Sequence, residues 1–279
     1  MMISRLLVLI PLSIILASAE TSASAKADLA CVKISQKLAS VKLFECRRLD
    51  MIATESESVN GFPLMVKEYP PLARRKPNGR ILMIGGTHGD ELTSISVVFK
   101  WMNIRQKHLS GLFHRPVNPL LNPGGALQTK HSRTNANQVD LNRKFASPDA
   151  TASAALDYWP TNGYKINRRY PGPFPLSEPE TNWLYTEIKS FKPDIIISVH
   201  APFSLVDYDA PDRKNAPHKV GYLYKNLMGT YPGSLGNYAG LHLGIPVITI
   251  ELPHAGIMPS RNNIDQLWTD RVRRLIRNV

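Results

Sequence analysis

The residues best suited to chemistry begin with His88 and Glu91, three apart in ILMIGGTHGDEL, residues 81–92. A neutral imidazole and a carboxylate are common partners on a catalytic zinc ion, which takes three protein ligands and keeps a fourth position open. The pair reads as half of such a site. Because His and Glu three apart recur by chance in many helices, it needs company. Two further groups supply it: His200 follows the apolar run DIIISV (194–199), and Glu251 follows VITI (247–250). A lone His at a strand end is usually a satisfied core residue. Two imidazoles and one carboxylate nevertheless complete a catalytic zinc set, and Glu251 is left over as a base.

These groups can act together only if the surrounding elements bring them together. Ile81 to Ile84 is an apolar run of strand length stopped by Gly85-Gly86, as in a fully buried strand that opens into a loop. From Glu91 to Met102 the apolar residues Leu92, Ile95, Val98, Phe99 and Met102 fall on one helical face. His88 and Glu91 therefore sit at a strand-to-helix junction, at the carboxyl end of a strand, where open α/β sheets place their ligands. If the strands before His88, His200 and Glu251 all run the same way, the four side chains line one sheet edge.

The stretch from Gly111 to Pro123 reads as a strand leaving into a tight turn, and His131 to Phe145 as a polar loop carrying Arg133 and Arg143. Arginines held in such a loop suit bidentate carboxylate binding, although composition alone describes a solvated basic loop. Tyr158 to Pro175, rich in Pro, Gly and Tyr, reads as a surface excursion. A helix is then expected from Ser177, as cap, through Pro179 in its first turn to about Phe191, and a last amphipathic basic helix over Asn262–Ile276. Val66 to Gly79, with Pro70-Pro71, reads as a connecting loop.

At the amino terminus, Arg5, the apolar stretch Leu6–Leu16 and Ala17-Ser18-Ala19 have the three parts of a secretory signal, which places 1–19 as a signal peptide and the protein in the periplasm. A membrane anchor would need about 20 apolar residues, more than this stretch offers. The remaining length suits one large domain, with an amino-terminal segment at 20–60 and a catalytic domain at 61–279. Cys31 and Cys46 are the only cysteines, and in an oxidising compartment they are most simply one disulfide stapling the segment to the main domain. A net charge of +12 favours anionic surfaces or substrates. Its residues are scattered with no nucleic-acid-binding motif, so carboxylate-rich cell-wall peptide fits better than nucleic acid. A basic surface that serves only solubility is equally compatible.

The full set resembles the M14 zinc carboxypeptidases: His88-x-x-Glu91, Arg133 ahead of Asp140-Leu141-Asn142-Arg143, His200 after a buried strand, and Glu251 in Thr249-Ile250-Glu251-Leu252-Pro253. Order and flanks agree from about Arg80 to Pro253. Ser177-Glu178-Pro179-Glu180-Thr181 and Leu235-Gly236-Asn237-Tyr238-Ala239-Gly240 are similar to the bacterial murein peptide amidase branch. The resemblance implies a three-layer α/β/α fold around a mixed, mostly parallel eight-stranded sheet. It implies zinc on His88, Glu91 and His200, Glu251 as general base then general acid, and Arg133 stabilising the oxyanion. Asn142 and Arg143 would grip the substrate carboxylate, and Asp140 would orient His88. Such members often carry an active-site tyrosine before the catalytic Glu; Tyr222, Tyr224, Tyr231 and Tyr238 all qualify. Lys144 stands where another Asn is common.

The expected activity is hydrolysis of peptidoglycan stem peptides, at the bond between γ-D-glutamate and meso-diaminopimelate, without stable membrane insertion. A general metallocarboxypeptidase, an N-acyl amino acid deacylase and a non-catalytic wall-binding protein are the competing expectations.

Overall fold

A computed structural model describes residues 12–107, 111–145, 158–159 and 168–278; for 12–22, 107 and 271–278 only the backbone is described. The expected signal segment thus lies outside the described residues up to residue 11 and is a bare helical backbone from 12. Part of the expected excursion, 160–167, also lies outside them.

Seven strands form the main sheet: β1 (Ile52–Glu57), β2 (Pro63–Tyr69), β3 (Ile81–Gly85), β4 (Arg115–Asn118), β5 (Ile195–His200), β6 (Leu205–Asp209) and β9 (Val247–Glu251). The short pair β7 (Lys219–Val220) and β8 (Leu223–Tyr224) stands apart from it. Across the main sheet the order is β1-β2-β4-β3-β5-β9-β6. Contacts β4–β3, β3–β5 and β5–β9 are parallel, whereas β1–β2, β2–β4 and β6–β9 are antiparallel. The expected mixed α/β architecture therefore holds with two corrections. Seven strands rather than eight are found among the described residues, and the parallel pairings are confined to the centre. Antiparallel hairpin and return strands at the margins account for the difference.

Residue parity divides the sheet into two faces. Ile81, Met83, Ile197, Val199, Ile248 and Ile250 join one core cluster, under α1 (Leu12–Lys37), α2 (Leu43–Arg47), α3 (Leu92–Lys107) and α6 (Arg261–Asn278). Leu82, Ile84, Ile196 and Val247 join the other, under α5 (Pro179–Phe191) and a π-helical segment, Gly236–His242. Burial on both faces explains why the central strands read as uninterrupted apolar runs. Each such side chain contributes about 1.5–3 kcal/mol of transfer free energy.

The amino-terminal region differs from expectation in two respects. The division at residue 60 falls in the turn between β1 and β2, and both are members of the sheet, so residues 66–69 are strand rather than linker. The Cys31–Cys46 disulfide forms, with Cα atoms 5.6 Å apart, but it joins α1 to α2 within the segment. What fixes the segment to the sheet is packing of Ala30, Ile34, Leu38 and Leu49 into the first core cluster. α5 starts at Pro179 as expected, with Glu178 rather than Ser177 in the cap position; the Ser177 hydroxyl donates to Glu178 Oε1 at 2.6 Å. It stops at Lys192, whose left-handed φ of 49° precedes Pro193. No helix among the described residues is long and apolar enough to cross a membrane.

Candidate active site

β3, β5 and β9 are parallel neighbours, so their carboxyl ends share one edge. His200 and Glu251 are register partners, and by parity both belong to the α5 face. His88 arrives by another device. Gly86 turns the chain at φ +63°, and a Cβ there would meet Ile95 Cγ1 at 2.7 Å, so only glycine lets the loop fold back over α3. The turn delivers His88 to the edge and Glu91 just before the helix.

The three expected ligands converge. His88 Nδ1 lies 2.7 Å from Glu91 Oε1, His200 Nδ1 lies 3.0 Å from Glu91 Oε2, and the two Nδ1 atoms are 3.2 Å apart. All three residues are buried, and their ligand atoms fall within 4.8 Å of one another. The outer nitrogens face away from that point: His88 Nε2 stands 3.3 Å from Asp140 Oδ1, an ion-pair contact without hydrogen-bond geometry, and His200 Nε2 meets Ser198 Oγ at 2.9 Å. That leaves the Nδ1 lone pairs and the carboxylate aimed at one spot. Such a donor set fits a divalent cation, with the outer partners setting the tautomers.

A web of charges surrounds the cluster. Asp140 Oδ2 accepts from Arg133 Nε at 2.8 Å, and Asp140 Oδ1 also accepts from Asn142 N–H at 3.0 Å. Arg133 Nη1 stands 3.6 Å from Glu91 Oε1. Burial alone would raise the carboxyls, but the imidazoles of His88 and His200 hold Glu91 well below the usual range. Against the same burial, Arg133, Arg143 and His88 hold Asp140 down. Glu251 behaves oppositely: burial raises its carboxyl, with His200 working against the rise and Glu91 adding to it. A base nearer neutrality is the better proton acceptor and donor at neutral pH.

The 133–145 loop owes its shape to the start of α5. Glu178 Oε2 accepts from Asn135 Nδ2 at 2.7 Å and from Asn137 Nδ2 at 2.9 Å. The Ser177–Thr181 stretch thus braces the loop that carries Arg133, Asp140, Asn142 and Arg143, beyond its role in starting a helix. Asn142 Oδ1 accepts from Leu235 N–H at 2.9 Å, tying the loop to the π-helical segment. Lys144 is buried and pinned through its ammonium to the Phe174 carbonyl, and burial pushes it down to about 8. It organises residues 172–176 instead of lining the cleft.

The three candidate ligands face a cleft of about 590 Å³ lined by His88, Glu91, Arg133, Asn142, Arg143, His200 and Glu251. Arg143 lies against two touching aromatic rings, 4.4 Å from the Trp159 centroid and 5.6 Å from that of Tyr231, and burial lowers it to about 10. Of the four candidate tyrosines only Tyr231 lines the cleft; Tyr238 stacks on Phe145 in the core, Tyr222 is half-buried elsewhere and Tyr224 is exposed. Sequence reasoning missed Arg169, Phe203, Asp207 and Asp209, which also line it. The two aspartates had a signal in the alternation of LVDYD, where acids occupy alternate positions of a buried strand.

Sheet, edge and donor set together define an α/β fold of the metallocarboxypeptidase class. The succinylglutamate desuccinylase/aspartoacylase catalytic domain matches residues 77–189, which include His88, Glu91 and Arg133 but neither His200 nor Glu251. Murein peptide amidase A of Vibrio campbellii is 31% identical over 209 residues, 71% of this chain and 77% of the relative. That of Escherichia coli K12 is 28% identical over 70% and 78%. The murein-tripeptide amidase structure from Escherichia coli O157 matches with a TM-score of 0.55 at 25% identity, over 79% of this chain and 88% of that one. Carboxypeptidase A from Helicoverpa armigera shares the fold, with a TM-score of 0.63 at 16% identity over 84% and 72%. The chain belongs to the murein peptide amidase A branch of the M14 carboxypeptidase family, and it is a hydrolytic enzyme.

Proposed function

We propose that this protein is a zinc peptidase of the periplasm that releases meso-diaminopimelate from the γ-D-glutamyl bond of peptidoglycan stem peptides. The observation that carries the reading is the convergence of His88 Nδ1, Glu91 and His200 Nδ1 beside Glu251, in a cleft that also holds Arg133, Asn142 and Arg143. The murein peptide amidase relatives support the substrate class. The signal-like amino terminus and the Cys31–Cys46 disulfide support export.

Zinc held by the three ligands would supply Lewis acidity, polarising a carbonyl and making a water more acidic. The chain's own residues do the rest. Arg143, held against the Trp159 and Tyr231 rings in the lining of the cleft, takes the terminal carboxylate of the leaving residue together with Asn142. Arg133, held flat by Asp140, stabilises negative charge as it grows on the scissile carbonyl oxygen. Glu251 accepts the proton of the attacking water and returns it to the departing nitrogen. Asp140 and Ser198 keep the imidazoles oriented.

Incubating the zinc-loaded protein with L-Ala-γ-D-Glu-meso-diaminopimelate should release free diaminopimelate. Release of ordinary carboxy-terminal L-amino acids from α-peptides, with the murein tripeptide left intact, would instead make it a general carboxypeptidase. The desuccinylase match over residues 77–189 favours one second reading, deacylation of N-acyl amino acids, and turnover of N-succinylglutamate in preference to both peptides would establish that one.

A further inference from the structure

Away from the cleft, the sheet buries a guanidinium that no acid among the described residues balances. Arg115 opens β4 and is the register partner of Tyr69 on β2. By parity with Val117 it points to the face covered by α3 and α6, where it lines a small cavity with Met102, Arg105 and Trp268. Arg115 is 2% exposed, and its Nε, Nη1 and Nη2 are all buried with no hydrogen-bond partner. Its guanidinium carbon lies 4.8 Å from the Phe113 ring centroid, and that of Arg105 lies 5.6 Å from the Tyr69 centroid. Ring faces attract a cation, but they leave the N–H groups in the plane of the fork without acceptors.

The polar groups around it are turned elsewhere. The Tyr69 hydroxyl donates to the Met102 carbonyl at 3.2 Å, and the Trp101 indole N–H donates to the Ile264 carbonyl at 3.1 Å. Glu68, on the other face of β2, meets His114, and Asp270 on α6 accepts from the Gly221 N–H at 3.0 Å. The charge that acts most on Arg115 has its own sign, that of Arg105. Burial and Arg105 bring Arg115 down to about 9, so it still carries its charge at neutral pH. A buried charge without a partner is among the most costly features a fold can hold. The cavity that both arginines line measures about 10 Å³, against about 590 Å³ for the cleft, which is room for one water-sized particle.

We propose that Arg115 and Arg105 form a buried site for one small monovalent anion of halide size, of which chloride is the common physiological example. A water in the same place would accept hydrogen bonds and leave two like charges uncompensated, whereas an anion answers both needs. Phosphate, sulfate and carboxylate ligands are too large for the cavity. Arg115 begins β4, which runs parallel to β3, so the site lies at the amino edge of the sheet, opposite the edge that carries His88 and His200. With Arg115 on the sheet and Arg105 on α3, the anion joins the two layers. Its occupancy therefore bears on stability rather than on turnover.

Crystals of the protein soaked in sodium bromide test the site directly, because bromide takes the place of chloride and scatters anomalously. One anomalous peak in contact with both guanidiniums is expected, and none there in Arg115→Met. In solution, chloride is exchanged for gluconate at constant ionic strength and thermal unfolding is followed. The melting temperature of the wild type should rise by roughly 3–5 °C for each tenfold increase in chloride beyond its dissociation constant. Arg115→Met, which keeps the bulk and removes the charge, should lose that rise. The difference between the two proteins is the measure, since weak binding of chloride to the basic surface is common to both. Should Arg115→Met fail to fold, Arg115→Lys keeps the charge without the planar fork and should weaken the response. An empty or water-filled cavity in the bromide-soaked wild type, or an equal chloride response in the wild type and whichever variant folds, overturns the proposal.

Discussion

The two ends of the cleft handle buried charge in opposite ways. Around the candidate metal ligands the buried carboxylates are paired: Glu91 faces both imidazoles and Arg133, and Asp140 faces Arg133 and His88. Roughly 7 and 13 Å along the strands from Glu251, Asp207 and Asp209 are buried without an ion pair among the described residues. The first end, with its carboxylates already paired, can be rigid before substrate arrives. The second keeps two buried carboxylates without that relief. The chemistry proposed above therefore belongs to the paired end, a division that mutations can break or sharpen.

The largest effect belongs at the paired end. Glu251→Gln keeps the shape and removes the proton acceptor, so kcat should fall about 10²- to 10⁴-fold while zinc content and ligand binding persist. Steady-state kinetics beside metal analysis checks it. A loss confined to KM would show that Glu251 only positions substrate. Next in size is Asp140→Asn. Weakening the partner of His88 Nε2 should lower zinc affinity by about 10- to 100-fold, read by competition with a chelator. Asp209→Asn, at the unpaired end, should leave zinc affinity alone. Equal zinc losses in the two variants would erase the distinction between the ends.

The sequence reveals these two ends unequally, for physical reasons. His88, His200 and Glu251 stand out because each follows an apolar run buried on both faces, and a polar residue at the end of such a run is conspicuous. β1 and β2 were hidden because they are marginal strands with half-exposed residues, so Lys67 and Glu68 break the pattern and the end of β2, from Val66, reads as a linker. Asp207 and Asp209 were hidden in a strand whose acids look like solvent-facing positions until β9 is placed beside it. The brace from Glu178 to Asn135 and Asn137 spans about 40 residues of sequence and has no local signature. Choosing Tyr231 over Tyr222, Tyr224 and Tyr238 likewise required knowing which loop faces the cleft.

The smallest predicted effect separates the ends by the sign of their pH dependence, in protein stripped of metal. Asp209 binds its proton more tightly folded than unfolded, since burial moves it from an ordinary value near 4 to about 7. Its contribution to stability is fully present below about pH 4, declines as pH rises and is spent above about pH 7. Glu91 and Asp140 are depressed in the fold, so their contribution is present above about pH 4 and lost on acidification below it. Denaturant unfolding across pH 4–7 should therefore show Asp209→Asn gaining on the wild type as pH rises, by roughly 1–2 kcal/mol once water in the cleft is allowed to screen the charge. A constant offset between the two proteins across that window would mean that Asp209 already has a counter-charge in the folded chain. The contrast between a paired end and an unpaired one would then collapse.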